Sequence, residues 1–207
     1  MIKDRNISPE GISSLKLNRE QQYVILKPSV SATAVVNAED ISGGAVAAAT
    51  IARARCDYPR NLFYTLVDNA SDTLEAVFVV TGTNQFDEVV TETVTVDYNV
   101  SATQAGTQIF KTITSVKITP TNQAASDTAS VGYSIVANVA SFGLPERIAA
   151  ITDVKNVNWV DNGVSKQETI TATSTVLARH CYRPGQTVEV IDDYIITYKT
   201  SYAPAIK

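Results

Sequence analysis

His180 is the only histidine of the chain, so a catalytic dyad or triad would have to use it. It precedes Cys181 in the segment LARHCYRPG, at the end of a predicted strand and just before a Pro-Gly turn. Adjacent side chains on a strand point to opposite faces, so these two are poorly placed to act as base and nucleophile. We therefore expect His180 to be a hydrogen-bonded or surface histidine.

Other reaction chemistry lacks a matching set of residues. A zinc site needs three or four ligands, whereas Cys56, His180 and Cys181 supply at most three, two of them neighbours. No Asp-x-Asp-x-Asp spacing favours calcium. Carboxylates for glycoside hydrolysis must face each other across about 5–10 Å, and the consecutive Asp192-Asp193 indicate no such pair. The sequence predicts a non-enzymatic protein without a metal or cofactor.

Arginines and tyrosines cluster in two short segments and could form an interaction surface. Both residue types are enriched at the centres of protein interfaces. For the cluster of Arg53, Arg55 and Arg60, a solvated, charged loop is the favoured interpretation, and an interface is the alternative. The candidate interface residues are Arg53, Arg55, Tyr58, Arg60, Tyr182 and Arg183.

Composition restricts the partners and the compartment. Lys+Arg 17 against Asp+Glu 21 gives a net charge of −4, which argues against nucleic acid as the main partner. The opening MIKDRNISPEGISS has no apolar core of a secretory signal, and no long apolar run predicts a membrane span. Synthesis in the cytoplasm is expected. Cys56 and Cys181 are predicted to be reduced and partly buried, with a disulfide as the alternative.

Alternation of apolar and polar residues with period two is the main structural signal. It places Ala76, Phe78 and Val80 on one strand face, and Val90, Val94 and Val96 on one face of the next. Glu92 interrupts that second face, so it must lie near an edge or find a partner. The same alternation occurs in residues 131–139 and on Tyr194, Ile196, Tyr198 and Tyr202.

Turn chemistry joins these strands into hairpins. Gly82, Asn84 and Asp87 predict a short loop over residues 83–87. Asn162-Gly163 predicts a tight turn, because both central residues of such a turn need a positive φ. Alternation is lost around Thr112 to Thr114, which predicts a β-bulge. Further strands are predicted at about 23–27, 32–37, 61–67, 109–119 and 166–178, and residues 43–55 are ambiguous between helix and strand.

Around ten short strands predict an all-β fold, an antiparallel β-sandwich of the immunoglobulin-like or jelly-roll-like kind. The polar, unpatterned start of the chain predicts an extended N-terminal arm. The predicted organisation is an arm over residues 1–22, with Ser8-Pro9-Glu10 capping one short turn, and a single sandwich domain over residues 23–207.

Several segments together resemble structural proteins of tailed-bacteriophage virions. They are an Arg60-Asn61 start, VTGTNQ and VTET strand segments, GTQIFKTITSV from Gly106 to Val116, the turn Gly143-Leu144-Pro145, and the closing ARHCYRPG and DDYIITYKTSY. The resemblance covers about residues 53–202, with unmatched cysteines at 56 and 181 and an unmatched loop after 120.

The resemblance implies a virion component without catalytic residues. The favoured member is a capsid decoration or cement protein, a late protein on the capsid surface that binds and stabilises the assembled head. The major capsid protein is then the expected partner, and a homo-oligomer, with a trimer favoured, is the expected assembly.

Two other functions remain open from the sequence. A neck, tail or fibre-associated virion protein would form a ring or a spike. A glycan-binding adhesive module would expose aromatic side chains in a loop cluster, and its candidates are Tyr58, Trp159 and Tyr182.

Overall fold

The computed structural model describes residues 20–69, 74–134, 139–158, 164–167, 175–176, 180–185 and 192–200. Every regular element in these ranges is a strand. The strands are β1 (Glu20–Leu26), β2 (Ser31–Asp40), β3 (Arg55–Arg60), β4 (Phe63–Val67), β5 (Glu75–Thr83), β6 (Val89–Asp97), β7 (Thr103–Ala105), β8 (Phe110–Thr121), β9 (Thr128–Tyr133), β10 (Phe142–Gly143), β11 (Ile148–Asn158), β12 (Val164–Gln167), β13 (Thr175–Val176), β14 (Cys181–Tyr182) and β15 (Asp192–Thr200).

The strands form three antiparallel sheets, so the predicted all-β antiparallel class is confirmed. The largest sheet has the order β13-β14-β10-β3-β8-β5-β6. A second sheet has the order β2-β9-β4-β7, and a third has the order β1-β15-β11-β12. No helix in the described ranges is long and apolar enough to cross a membrane.

The hairpin of β5 and β6 forms as the alternation predicts. Ala76, Phe78 and Val80 are all fully buried. In the connecting loop, the Asn84 side-chain oxygen accepts hydrogen bonds from the main-chain N–H groups of Phe86 and Glu88. This is the turn chemistry expected of asparagine, and it holds the loop in one conformation.

The predicted bulge is confirmed at Thr114. Thr81 of β5 faces Ser115 of β8, but the next residue, Gly82, faces Ile113. Thr114 is therefore the extra residue on β8, and its hydroxyl donates a hydrogen bond to the carbonyl oxygen of Thr81. The local loss of alternation in the sequence follows from this unpaired residue.

Two hydrophobic cores lie against the large sheet. The first core joins it to the β2-β9-β4-β7 sheet and contains Tyr64, Phe78 and Phe110. The second core joins it to the β1-β15-β11-β12 sheet and contains Phe142 of β10 and Ile196 of β15. Strands of the large sheet therefore contribute side chains to both cores, and this sheet connects the two halves of the described chain.

Several predicted boundaries differ from the structure. Strand β1 begins at Glu20, so residues 20–22 pair with β15 and do not belong to an arm. Residues 43–55 form neither a helix nor a continuous strand up to Arg55, where β3 begins. Isolated bridges at Val46 and Ile51 and further main-chain hydrogen bonds tie them to neighbouring strands. Alanine propensity is too weak to form a helix where the neighbouring strands offer hydrogen bonds.

Some predictions fall outside the described residues. These include residues 1–19, the Asn162-Gly163 turn, Trp159, Tyr202 and most of the predicted strand 166–178. Strands β11 and β12 do pair antiparallel on either side of that turn, from Asn158 opposite Val164.

Candidate functional site

The loop 84–88 at the tip of the β5–β6 hairpin contacts the half of the chain that holds the second core. The Arg147 guanidinium lies 3.3 Å from a Glu88 carboxylate oxygen and 5.2 Å from the centre of the Phe86 ring. On its other side, Lys111 Nζ lies 2.7 Å from Asp87 Oδ1. These exposed ion pairs orient the loop but contribute little stability.

His180 packs against the same loop. Its ring meets Phe86 edge-on, with 5.7 Å between ring centres. Its Nδ1 accepts a hydrogen bond of 3.1 Å from the main-chain N–H of Ile148, so the predicted hydrogen-bonded histidine is confirmed. Burial, and then the nearby Arg147 charge, lower the pKa of His180, which favours a neutral imidazole at neutral pH.

Two adjoining cavities open beside the loop. The smaller, about 120 Å³, lies between Phe86, Arg147 and His180. The larger, about 300 Å³, lies between β1 and β3, with Tyr23 and Tyr58 on its walls. Gln85 lines both cavities, so they lie next to each other. Within the described ranges, no three His, Cys, Asp or Glu side chains come together as a metal-binding group.

Arg60, one of the predicted interface residues, is only 1% exposed, so it does not lie on the surface of this chain. Its guanidinium donates to the carbonyl oxygens of Ser29 and Ser134 and forms an ion pair with Asp57. It also lies over the rings of Tyr133 and Phe142, at 4.8 and 4.9 Å from their centres. Arginine suits this position because its planar group bonds at its edge and stacks on its faces.

The other predicted interface residues divide between surface and core. Arg53 and Arg55 are exposed, and Tyr58 and Arg183 are half-buried. Tyr182 is 1% exposed and belongs to the second core. Like Arg60, it is buried and does not lie on the surface of this chain. The structure brings Arg55 and Tyr58 together on the wall of the larger cavity.

Cys56 and Cys181 form no disulfide, so the predicted reduced thiols are confirmed, and both are buried rather than partly buried as predicted. Burial raises the pKa of Cys56 to about 11, although a hydrogen bond with Tyr133 and the Arg60 charge oppose this shift. The thiol is therefore protonated at neutral pH and is a poor nucleophile.

Glu92 lies on β6, at the edge of the large sheet, and is 6% exposed. Its Oε2 accepts a hydrogen bond from the Tyr64 hydroxyl, at 3.0 Å. Its Oε1 accepts from the main-chain N–H groups of Thr107 and Gln108 and from the Thr107 hydroxyl. The sequence predicted that Glu92 must lie near an edge or find a partner, and the structure shows both.

Asn61 is a structural residue that the sequence did not single out for this purpose. It is buried, and its amide nitrogen donates to the carbonyl oxygens of Gly106 and Val139. Its amide oxygen accepts from the main-chain N–H of Ser141. Only its place beside Arg60 in the Arg-Asn segment could have drawn attention to it.

Comparison with known proteins gives no counterpart for this arrangement. No family model matches the chain, and neither a curated protein nor a solved structure matches it at a significant level.

Proposed function

We propose that this chain is a non-enzymatic structural protein of a tailed-bacteriophage virion, and that it is a capsid decoration or cement protein which binds and stabilises the assembled head. In this proposal the three sheets form a β-sandwich of the immunoglobulin-like or jelly-roll-like kind. The protein acts as a homo-oligomer, with a trimer favoured, and its partner is the major capsid protein.

One observation carries the proposal: the separate segments that resemble virion proteins contact one another. Glu92 of the VTET segment accepts hydrogen bonds from Thr107 and Gln108 of the GTQIFK segment. Asn61 of the Arg-Asn segment donates to Gly106, at the start of that GTQIFK segment. These contacts support reading the resemblance as one of a folded arrangement, because three of its segments come together in this chain.

The turn segment Gly143-Leu144-Pro145 belongs to the same arrangement. A Cβ placed on Gly143 would lie 2.7 Å from Ile109 of the GTQIFK segment. Phe142, just before this turn, carries the Arg60 guanidinium on its ring. This supports a resemblance at the level of a whole domain, and with it the class of protein that the resemblance implies.

Reconstitution on phage heads tests the proposal. Purified protein is added to expanded heads that lack decoration, and the particles are imaged by electron cryomicroscopy. Density repeated over the icosahedral surface is the expected result. Density confined to one vertex or to the tail, or bare heads, would instead favour the alternative of a neck, tail or fibre-associated virion protein.

The surface residues Arg53 and Arg55 are the first candidates for contact with the capsid. The double variant Arg53→Ala/Arg55→Ala should decorate fewer sites at a given concentration. Lys117→Ala is the matched control, because Lys117 is also an exposed cation. Equal occupancy by both variants would exclude the two arginines from the interface.

The arm prediction is tested in the same assay. Because β1 begins at Glu20, the truncation should stop at residue 19 to leave the β1–β15 ladder intact. The truncated protein should fold but bind heads more weakly. Full binding after truncation would show that residues 1–19 do not contribute to assembly.

A further inference from the structure

Strand β1 has an open outer edge. It is the last strand in the order β1-β15-β11-β12, and no described strand pairs with its other side. At Leu26, both the N–H and the carbonyl group bond to the Tyr58 hydroxyl, each at 2.8 Å. These groups therefore point away from β15.

The direction of the remaining groups follows from the regular β1–β15 register. In an antiparallel ladder, alternate residues direct both main-chain groups to the same side. Val24 and Gln22 therefore point their N–H and carbonyl groups outward, as Leu26 does. Tyr58 satisfies the groups of Leu26 and so ends the free edge. Those of Val24 and Gln22 meet no other strand in the described part of the chain and can pair with an added one.

The larger cavity lies directly beside this edge. Tyr23, between Gln22 and Val24, lines it, together with Tyr58 of β3. Pro59 and Pro145 complete its apolar walls. A strand added to β1 would place alternate side chains on this inner side, where the volume of about 300 Å³ accommodates one of them.

The charges of the cavity favour a carboxylate. Asp57 is engaged by Arg60 and by the main-chain N–H and hydroxyl of Ser29. Lys111 is paired with Asp87. Arg55 is exposed and forms no ion pair within the described part of the chain, so it is the cation that an incoming acidic group would meet.

We propose that the β1 edge and this cavity form a docking site for an extended acidic segment of a partner protein. The segment adds a strand to β1 by bonding to the main chain of Gln22 and Val24, and it places an acidic side chain in the cavity beside Arg55. Main-chain bonds supply affinity and the cavity supplies selectivity, as in other cases of strand addition. Such a segment would bind whether or not the protein assembles on a phage head.

The N-terminal residues of this chain suit the site less well. Residues 1–19 contain more basic than acidic side chains: Lys3, Arg5, Lys16 and Arg19 against Asp4 and Glu10. A basic segment gains nothing from Arg55, which favours a different and acidic polypeptide as the occupant.

Peptide binding to the full chain tests the site. The probe is a capped, fluorescein-labelled peptide Thr-Val-Thr-Glu-Thr-Val-Thr, and binding is followed by fluorescence polarisation. This peptide should bind about tenfold more tightly than the same peptide with Gln in place of Glu. The Gln peptide cannot form the charge-assisted hydrogen bond with Arg55. A Lys peptide should not bind. Absence of binding by the Glu peptide, or equal binding of all three, overturns the proposal.

Two pairs of variants locate the contact. Val24→Pro removes an N–H that does not bond to β15, so the strand should persist while the peptide is lost. Val24→Ala keeps that N–H and should bind within about twofold of the original chain. Arg55→Gln should abolish the preference for Glu, whereas Arg53→Gln should keep it. Unchanged binding by both Val24→Pro and Arg55→Gln places the peptide elsewhere and overturns the proposal.

Discussion

The Tyr64 hydroxyl donates a hydrogen bond of 3.0 Å to the Glu92 carboxylate, and both groups are buried. Tyr64 lies on β4 and Glu92 on β6, so the bond connects two different sheets. Burial, and then the Glu92 charge, raise the pKa of Tyr64 well above its usual value, which keeps the phenol a donor. A single carboxylate therefore ties both sheets to the segment that precedes β8.

Glu92→Gln should destabilise the protein by about 2–3 kcal/mol. The amide oxygen can stay on the Thr107 and Gln108 N–H groups, but the bonds there lose their charge, and the NH₂ group then faces the Tyr64 hydroxyl, which must turn from donor to acceptor. Urea denaturation measures the change. Glu88→Gln is the control, because the Glu88 carboxylate is exposed and its bonds to Arg147 and the Asn84 amide are too, and it should cost less than about 0.5 kcal/mol. Equal effects of the two variants would contradict the role given to Glu92.

Gly82→Ala should cost more than about 2 kcal/mol, because two backbones approach closely at the bulge. A Cβ on Gly82 would lie 1.9 Å from the carbonyl oxygen of Thr112. Gly43→Ala is the control, since a Cβ there meets nothing within 4 Å. Thermal unfolding of both variants compares the two sites, and a neutral Gly82→Ala would show that the strands can separate without cost.

Arg60→Met should cost about 3 kcal/mol or more, because it leaves the Asp57 charge without its cation. The same change in Arg53→Met should have little effect, since Arg53 is exposed. Denaturant unfolding at neutral pH provides the comparison. A small effect of Arg60→Met would mean that the methionine fills the space between Tyr133 and Phe142 as well as the guanidinium does.

His180 should make the protein less stable as pH falls from about 7 to 5. Its pKa is lowered in the folded chain, so below its ordinary value of 6.5 the unfolded chain binds the proton more readily. His180→Asn keeps an acceptor for the Ile148 N–H and tolerates the φ of 49°. The variant should lose part of the pH dependence in this window. An unchanged slope would assign the dependence to other groups.

The two thiols should be unreactive in the folded protein. Both are buried, and the raised pKa of Cys56 leaves almost no thiolate at neutral pH. A colorimetric thiol reagent should label neither cysteine rapidly in buffer and both in denaturant. Fast labelling in buffer, or failure to label in denaturant without a reductant, would contradict the buried free-thiol state.

Local patterns predicted the regular parts of the fold because strands impose a period of two on neighbouring residues. The hairpin of β5 and β6, its loop and the bulge at Thr114 were all predicted from stretches of a few residues. Residues 43–55 were not, because their composition suits two conformations and contacts with β2 and β8 decide between them.

The candidate interface was predicted less well, since residue type does not determine burial. Arg60 and Tyr182 have the composition expected of an interface, yet both are enclosed by segments far away in the chain. The cavity beside the β1 edge was not predicted at all, because it depends on how β1 and β3, from different sheets, lie beside each other.

The sequence by itself determined the all-β class, the main hairpin and the presence of a charge at 92 that needed an edge or a partner. Alternation and turn propensity act over a few bonds, so they can be recognised in the linear chain. The tertiary structure alone decided which groups Glu92 and Arg60 bond, which arginines remain on the surface, and which strand edge stays open. These outcomes depend on contacts between residues that are distant in sequence, and local chemistry does not specify which distant segments meet.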